Sequence, residues 1–196
     1  MSIENIKTIA VVGAGTMGPG MAATFARNGF DTYLSDINDE QIEKAKGTID
    51  FVFKTLVGGG FLTAEEAEAA KGRITLTTNQ AEAVGNADFV VETVPERIEI
   101  KKAVFEDLAK QARPGVILAS NTSGIPITAL QDGIAEPHRV VGMHWSNPPH
   151  LIPVIEVIKG AQTDGETVET IKEIIAKIGM VAGIVDKDVP GFVENR

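Results

Sequence analysis

Lys7-Thr8-Ile9-Ala10-Val11-Val12-Gly13-Ala14-Gly15-Thr16-Met17-Gly18 is the stretch that decides the fold. Its first half is a short apolar run ending on glycine, the pattern of a parallel strand buried on both faces. Met17, Met21, Phe25 and Ala26 then recur at helical spacing, and Gly29 supplies the stop after Arg27 and Asn28. Pro19 falls at the edge of the first turn, where it removes at most the first intrahelical bond. Strand, glycine turn and helix in that order form a mechanical unit. Gly13 permits the tight turn, Gly15 lets the backbone approach a pyrophosphate, and Gly18 lets the helix pack closely on the sheet. The helix start, with Thr16 and Met17 in the turn, offers unbonded N–H groups and a positive dipole end to phosphate.

A glycine-rich turn also arises for purely structural reasons, so its surroundings carry the argument. Tyr33-Leu34-Ser35-Asp36 reads as the next strand and ends on an acid eighteen residues beyond Gly18, about the interval of a ribose-binding carboxylate. Asp36 could instead cap the following helix. No Arg or Lys stands in Ile37-Asn38-Asp39 to meet a 2′-phosphate, so NAD is expected in preference to NADP.

Beyond Asp36 the plain alternation is interrupted. Asn38 to Lys71 reads as two helices around Gly58-Gly59-Gly60, the second opening at Thr63 with a Thr-x-x-Glu capping pattern to Glu66. Further strands are expected at Ile74 to Thr77, Asp88 to Thr93, Val116 to Ser120, Arg139 to His144 and Pro153 to Ile158, and helices at Ile98 to Gln111 and Thr167 to Ile178. The sequence therefore predicts an α/β fold: a Rossmann-type, doubly wound, mostly parallel sheet with a two-helix insertion after the second strand.

Composition limits the function classes. The chain has 196 residues, 43% apolar and 23% charged, enough for one well-filled core. No apolar run approaches a membrane span, and the N-terminus lacks a signal-peptide pattern, so a cytoplasmic location is expected. With no cysteine, thiol catalysis and disulfides are excluded, and His138, His144 and His150 do not fall at metal-site spacing, so no metal is expected. A net charge of −9 argues against nucleic acid or anionic membrane as a partner and leaves a small molecule.

A second stretch carries the chemistry: Gly142-Met143-His144-Trp145-Ser146-Asn147-Pro148, with Glu156 twelve residues after the histidine. An isolated histidine at a strand end is most simply a core or loop residue. Glu156 shifts that balance, because it sits among Val154, Ile155, Val157 and Ile158, and a carboxylate inside an apolar run needs a partner. A Glu bonded to one imidazole nitrogen would fix the tautomer and support the imidazolium formed when the other takes a proton. Paired with a dinucleotide site, this suggests hydride transfer from an alcohol whose hydroxyl proton His144 accepts. Ser123 and Asn147 are neutral donors suited to a substrate oxygen or a ribose, though alone they would be ordinary turn residues.

Gly13-x-Gly15-x-x-Gly18, Asp88 to Glu92, Asn121-Thr122-Ser123, His144-x-x-Asn147-Pro148, Glu156 and the closing Pro190-Gly191-Phe192-Val193-Glu194-Asn195-Arg196 resemble, in order and spacing, the N-terminal NAD-binding domain of the 3-hydroxyacyl-CoA dehydrogenases. The resemblance covers essentially the whole chain. It implies that His144 takes the hydroxyl proton, that Glu156 orients it, and that Ser123 and Asn195 contact substrate. It further implies that Asp36, Glu96, Lys101, Ser123 and Asn147 line the NAD site, and that the activity is L-3-hydroxyacyl-CoA dehydrogenation in fatty acid metabolism. Residues 1–188 are then the NAD-binding domain, and 189–196 begin a connection to a helical domain, absent from this chain, that closes the cleft and forms a homodimer. On that basis the chain alone is expected to bind cofactor without turnover.

Two departures bear on substrate. Acyl-CoA members usually read His-Phe-Phe-Asn-Pro, where this chain has His144-Trp145-Ser146-Asn147-Pro148-Pro149-His150. The helical arm, lysine-bearing in acyl-CoA enzymes, here reads Phe53-Lys54-Thr55-Leu56-Val57-Gly58-Gly59-Gly60-Phe61, with a single cation. The variant motif also resembles dehydrogenases of small hydroxy acids and of hydroxymethyl or formyl pyridine carboxylates, including one of vitamin B6 degradation. A further alternative is an NAD-binding module without activity of its own.

Overall fold

The computed structural model describes residues 3–186, 188–189 and 191–192. Eight strands form one sheet in the order β3-β2-β1-β4-β5-β6-β7-β8. They are β1 (Thr8–Val12), β2 (Asp31–Ser35), β3 (Ile74–Thr77), β4 (Phe89–Glu92), β5 (Ile117–Ser120), β6 (Val140–Trp145), β7 (Val154–Ile158) and β8 (Val181–Val185). Every neighbouring pair is parallel except β6 with β7. The helices are α1 (Gly18–Arg27), α2 (Asp39–Gly58), α3 (Ala64–Lys71), α4 (Gln80–Asn86), α5 (Ile98–Gln111), α6 (Ile127–Gln131) and α7 (Gly165–Lys177). The doubly wound sheet expected from the sequence is thus present, with α2 and α3 as the insertion after β2.

The central strands are apolar up to their carboxyl ends because both faces are covered. On one face α1, α2, α3 and α7 bury Phe25, Phe53, Ile171 and Ile174 against Val11, Phe89 and Trp145. On the other, α4, α5 and α6 bury Val84, Phe105, Leu108 and Ile127 against Val90, Leu118 and Val140. Helix ends follow local chemistry. Asn38 accepts from the Gln41 N–H at 2.8 Å to start α2, and Thr63 with Glu66 completes the reciprocal capping box of α3. Asp36, for which a capping role was the alternative, is not the cap. Pro19 occupies the first turn of α1, as its missing N–H allows.

Three elements go beyond the sequence expectation. Helix α4 is capped by Asn79, whose side chain accepts from the Glu82 N–H at 3.2 Å. Helix α6 is a five-residue turn. Strand β8 adds an edge beside β7, with Val181 and Ile184 exposed. Strand β2 also begins at Asp31, earlier than its apolar part suggests, because β1 supplies parallel partners from Thr8 onward. Among the described residues, no helix is long and apolar enough to cross a membrane.

Candidate functional site

The order β3-β2-β1-β4 reverses direction between β1 and β4, and parallel sheets bind ligands at the carboxyl ends of the strands flanking such a switch. A cavity of about 740 Å³ opens there, within the range of small-molecule sites. Gly13, Gly15, Thr16, Met17, Asp36, Glu96 and Ser123 contribute to its wall. The glycines act as their positions require. Gly13 has φ of 111°, and a Cβ there would lie 2.6 Å from the Thr93 carbonyl oxygen. A Cβ on Gly18 would fall onto the Gly13 carbonyl, so Gly18 underlies the turn while Gly15 opens toward space. One Asp36 oxygen accepts from Ala14 N–H at 2.8 Å and the other from Ile37 N–H at 2.7 Å, which fixes the carboxylate at the mouth of the turn. A backbone cradle for phosphate beside an oriented carboxylate fits a dinucleotide. No Lys or Arg stands among the described wall residues, which leaves a 2′-phosphate without a counter-charge.

Behind that wall lies a polar cluster. Glu92, at the end of β4, is fully buried, and one of its oxygens receives Lys101 Nζ and Val94 N–H, each at 2.6 Å. Its second oxygen receives the Ser120 hydroxyl at 2.6 Å. Lys101 is 1% exposed and also lies 3.5 Å from Glu96. It therefore stands behind the cavity wall, whereas the resemblance implied a lining position. Glu96 reaches the next loop, accepting from Thr122 Oγ1 and from the N–H groups of Ser123 at 2.9 Å and Gly124 at 3.0 Å. Partial burial pushes its pKa up, but Thr122, the nearby Lys101 charge and the two amides outweigh that and hold it below the ordinary glutamate value. Glu92 was legible by the logic applied to Glu156, as a carboxylate closing the apolar run Phe89-Val90-Val91.

The His144–Glu156 pair is set by strand register. Antiparallel pairing of β6 with β7 places His144 opposite Glu156, and their side chains meet at 2.8 Å between Nδ1 and Oε2. Both are buried. A carboxylate on Nδ1 holds the ring proton there and makes Nε2 the basic nitrogen. Alternation along β6 sends Met143 and Trp145 into the α1 face, where Trp145 packs edge-on against Phe25 with centroids 5.4 Å apart. His144 takes the opposite face. The end of β6 is tied to the cofactor side by Asn121, which accepts from Trp145 N–H at 2.8 Å and donates to Thr93 Oγ1 at 3.1 Å.

The remaining expected residues divide. Ser123 is exposed at the cavity wall, its N–H held by Glu96. Asn147 is exposed just past β6 and is not part of the cavity wall. Asn195 lies outside the described residues. His150 is buried against Gly20, where a Cβ would sit 3.3 Å from its Nδ1, and burial and the Arg27 charge lower its pKa.

The family model for the 3-hydroxyacyl-CoA dehydrogenase NAD binding domain matches residues 8–189. The chain is 47% identical over 191 residues to the 5-formyl-3-hydroxy-2-methylpyridine 4-carboxylate 5-dehydrogenase of Mesorhizobium japonicum, covering 97% of this chain and 61% of that protein. A crystal structure of a 5-dehydrogenase of that pyridine carboxylic acid, described as an NAD+-dependent dismutase, superposes with TM-score 0.90 and 46% identity, over 97% of this chain and 61% of the other. The 3-hydroxybutyryl-CoA dehydrogenase of Escherichia coli superposes with TM-score 0.93 and 38% identity, over 98% of this chain and 40% of the other. The chain therefore spans about three-fifths or less of the length of these relatives.

Proposed function

The chain belongs to the family of 3-hydroxyacyl-CoA dehydrogenase NAD-binding domains, and from that premise we propose that it serves NAD-dependent oxidation of an alcohol, or reduction of the corresponding carbonyl. The observation that carries the proposal is the buried His144–Glu156 pair, 2.8 Å apart, on the same sheet as the cavity at the β1–β4 switch. NAD, when bound, supplies the hydride acceptor. Gly13, Gly15, Thr16, Met17 and Gly18 would form its phosphate turn, and Asp36 would hold the ribose hydroxyls. Ser123 and Glu96, at the wall, and Asn147, past β6, would contact the cofactor, and Lys101 would brace Glu96 from behind. His144 Nε2 takes the hydroxyl proton, and Glu156 supports the imidazolium that results. Ser123, with Asn195, would orient the substrate oxygen. In the whole protein, residues 189–196 would lead into a helical domain that closes the cleft and forms a homodimer, working in the cytoplasm.

The first substrate reading is an L-3-hydroxyacyl-CoA, the chemistry of the family's name. A second, a small carboxylated alcohol or aldehyde, is favoured by the 47% identity to the pyridine carboxylate dehydrogenase and by an arm with Phe51 and Phe61 exposed and Lys54 as the single cation of its central stretch. The test compares kcat/KM for acetoacetyl-CoA with that for hydroxymethyl and formyl pyridine carboxylates and free hydroxy acids, using the full-length protein. A preference of about a hundredfold for the thioester, roughly 2.7 kcal/mol of transition-state binding, establishes the first reading. The reverse preference establishes the second. Equal failure of every substrate with NADH bound tightly would leave a binding module and overturn the enzymatic proposal.

A further inference from the structure

The described segment after β8 returns to the acid–base pair. Asp188 caps the start of α6, accepting from Ile127 N–H at 2.8 Å and Thr128 N–H at 2.7 Å. The chain then turns through Gly191, φ 86°, and Phe192, φ 47°, with Phe192 N–H donating to Val189 O at 3.2 Å. Glycine adopts such angles freely, but a bulky aromatic does so at a conformational cost, and residues held this way concentrate where the surrounding structure needs them. Phe192 is 1% exposed, and its ring lies against the His144 imidazole with centroids 5.9 Å apart at 57°. The strained backbone therefore places an apolar ring beside the proposed proton acceptor, tilted against it.

We propose that Phe192 is a positioning residue for His144, its left-handed turn pinned by Asp188, and that it keeps the His144–Glu156 pair dry and its ring orientation fixed. Three features converge on this reading. An aromatic in the left-handed region is uncommon, the buried ring contacts the imidazole itself, and the carboxylate that anchors the segment comes from four residues earlier and bonds across 61 positions of sequence. In low dielectric the Glu156 bond to Nδ1–H is stronger than in water, so excluding water holds one tautomer and presents Nε2 consistently to substrate. Admitting water lets the ring pivot and the tautomers mix. A small displacement of a catalytic group is enough to slow turnover steeply.

The inference rests on His144 being the proton acceptor, and the test separates the two ideas. The ring nitrogens of His144 can be identified in the nitrogen NMR spectrum of the full-length protein as the signals that disappear in His144→Gln. In the full-length protein Phe192→Ala is expected to change the His144 signals from one tautomer, proton on Nδ1, to an exchanging mixture. Its kcat should fall about tenfold or more while the NADH dissociation constant stays within about twofold. Phe192→Leu, which keeps apolar bulk beside the ring, should recover the single tautomer and most of the turnover. An unchanged tautomer and kcat in Phe192→Ala would overturn the proposal. So would a parallel loss of cofactor binding and turnover in both variants, which marks a residue needed only for folding. Wild-type turnover in His144→Gln would instead sink the proton-acceptor reading, and the tautomer measurement would still judge Phe192 on its own.

Discussion

Between β1 and β4 the site is made of backbone; between β6 and β7 it is made of two side chains. The Gly13 turn presents amide groups and a helix start, and Asp36 is oriented by the N–H groups of Ala14 and Ile37. The His144–Glu156 pair depends on antiparallel register, which sets the two residues face to face on buried strands. A backbone site tolerates side-chain variation wherever the glycines stay, and in the proposed function it is the part that binds the cofactor. A side-chain pair fails when either member changes, and in the proposed function it is the part that carries the chemistry. Substitutions in the two regions should then separate affinity from turnover.

The largest effect belongs to the side-chain pair. In the full-length protein His144→Ala should lower kcat by about a hundredfold or more, the scale of a lost general base, and Glu156→Gln should cost less because the base remains. Steady-state kinetics alongside NADH fluorescence titration reads both quantities. Wild-type kcat in His144→Ala would make the pair a packing feature and end the comparison. An intermediate effect is expected at Asp36. Replacing it with Ala should weaken NADH binding by about 1–2 kcal/mol, the worth of a charge-assisted hydrogen bond, and narrow the preference over NADPH, both measured by titration. Equal affinity of the unaltered protein for the two cofactors would detach Asp36 from the ribose.

The smallest effect concerns pH and the bracket between the two regions. Glu96 is held below the ordinary glutamate value in the folded chain, so its stabilising contribution is present above the unfolded value and is lost as pH falls through the folded one. Glu96→Gln should accordingly be less stable than the unaltered chain near neutral pH, and the difference should shrink on acidification to about pH 3–4. Urea unfolding midpoints across that range check it. A gap that widens with acid would reverse the sign of the linkage.

The backbone region was the more legible of the two. The run from Lys7 to Gly18 announces strand, turn and helix, because each step is a local property of residue size and periodicity. The Thr63–Glu66 capping box was equally readable for the same reason. His144 and Glu156 were recognisable as a pair only because Glu156 interrupts an apolar strand, and the antiparallel register that joins them is a tertiary fact no local pattern encodes. Glu92 at the end of β4 carried the same signal, but its partners Lys101 and Ser120 come from two other elements. Strand β8 has no clear signal in the sequence because Gly183 and an exposed edge blur its alternation. Phe192 was visible as part of a motif, yet its contact with His144 depends on a left-handed turn that sequence alone does not specify.

The central claim is that cofactor binding and proton transfer are carried by different parts of one sheet. The direct test measures the NADH dissociation constant and kcat together in full-length Asp36→Ala, His144→Ala and the double variant. The account predicts that Asp36→Ala raises the dissociation constant with kcat nearly intact, that His144→Ala does the reverse, and that the double variant shows the two free-energy losses summed to within about 0.5 kcal/mol. Loss of both quantities in each single variant, or a strongly non-additive double variant, would contradict it.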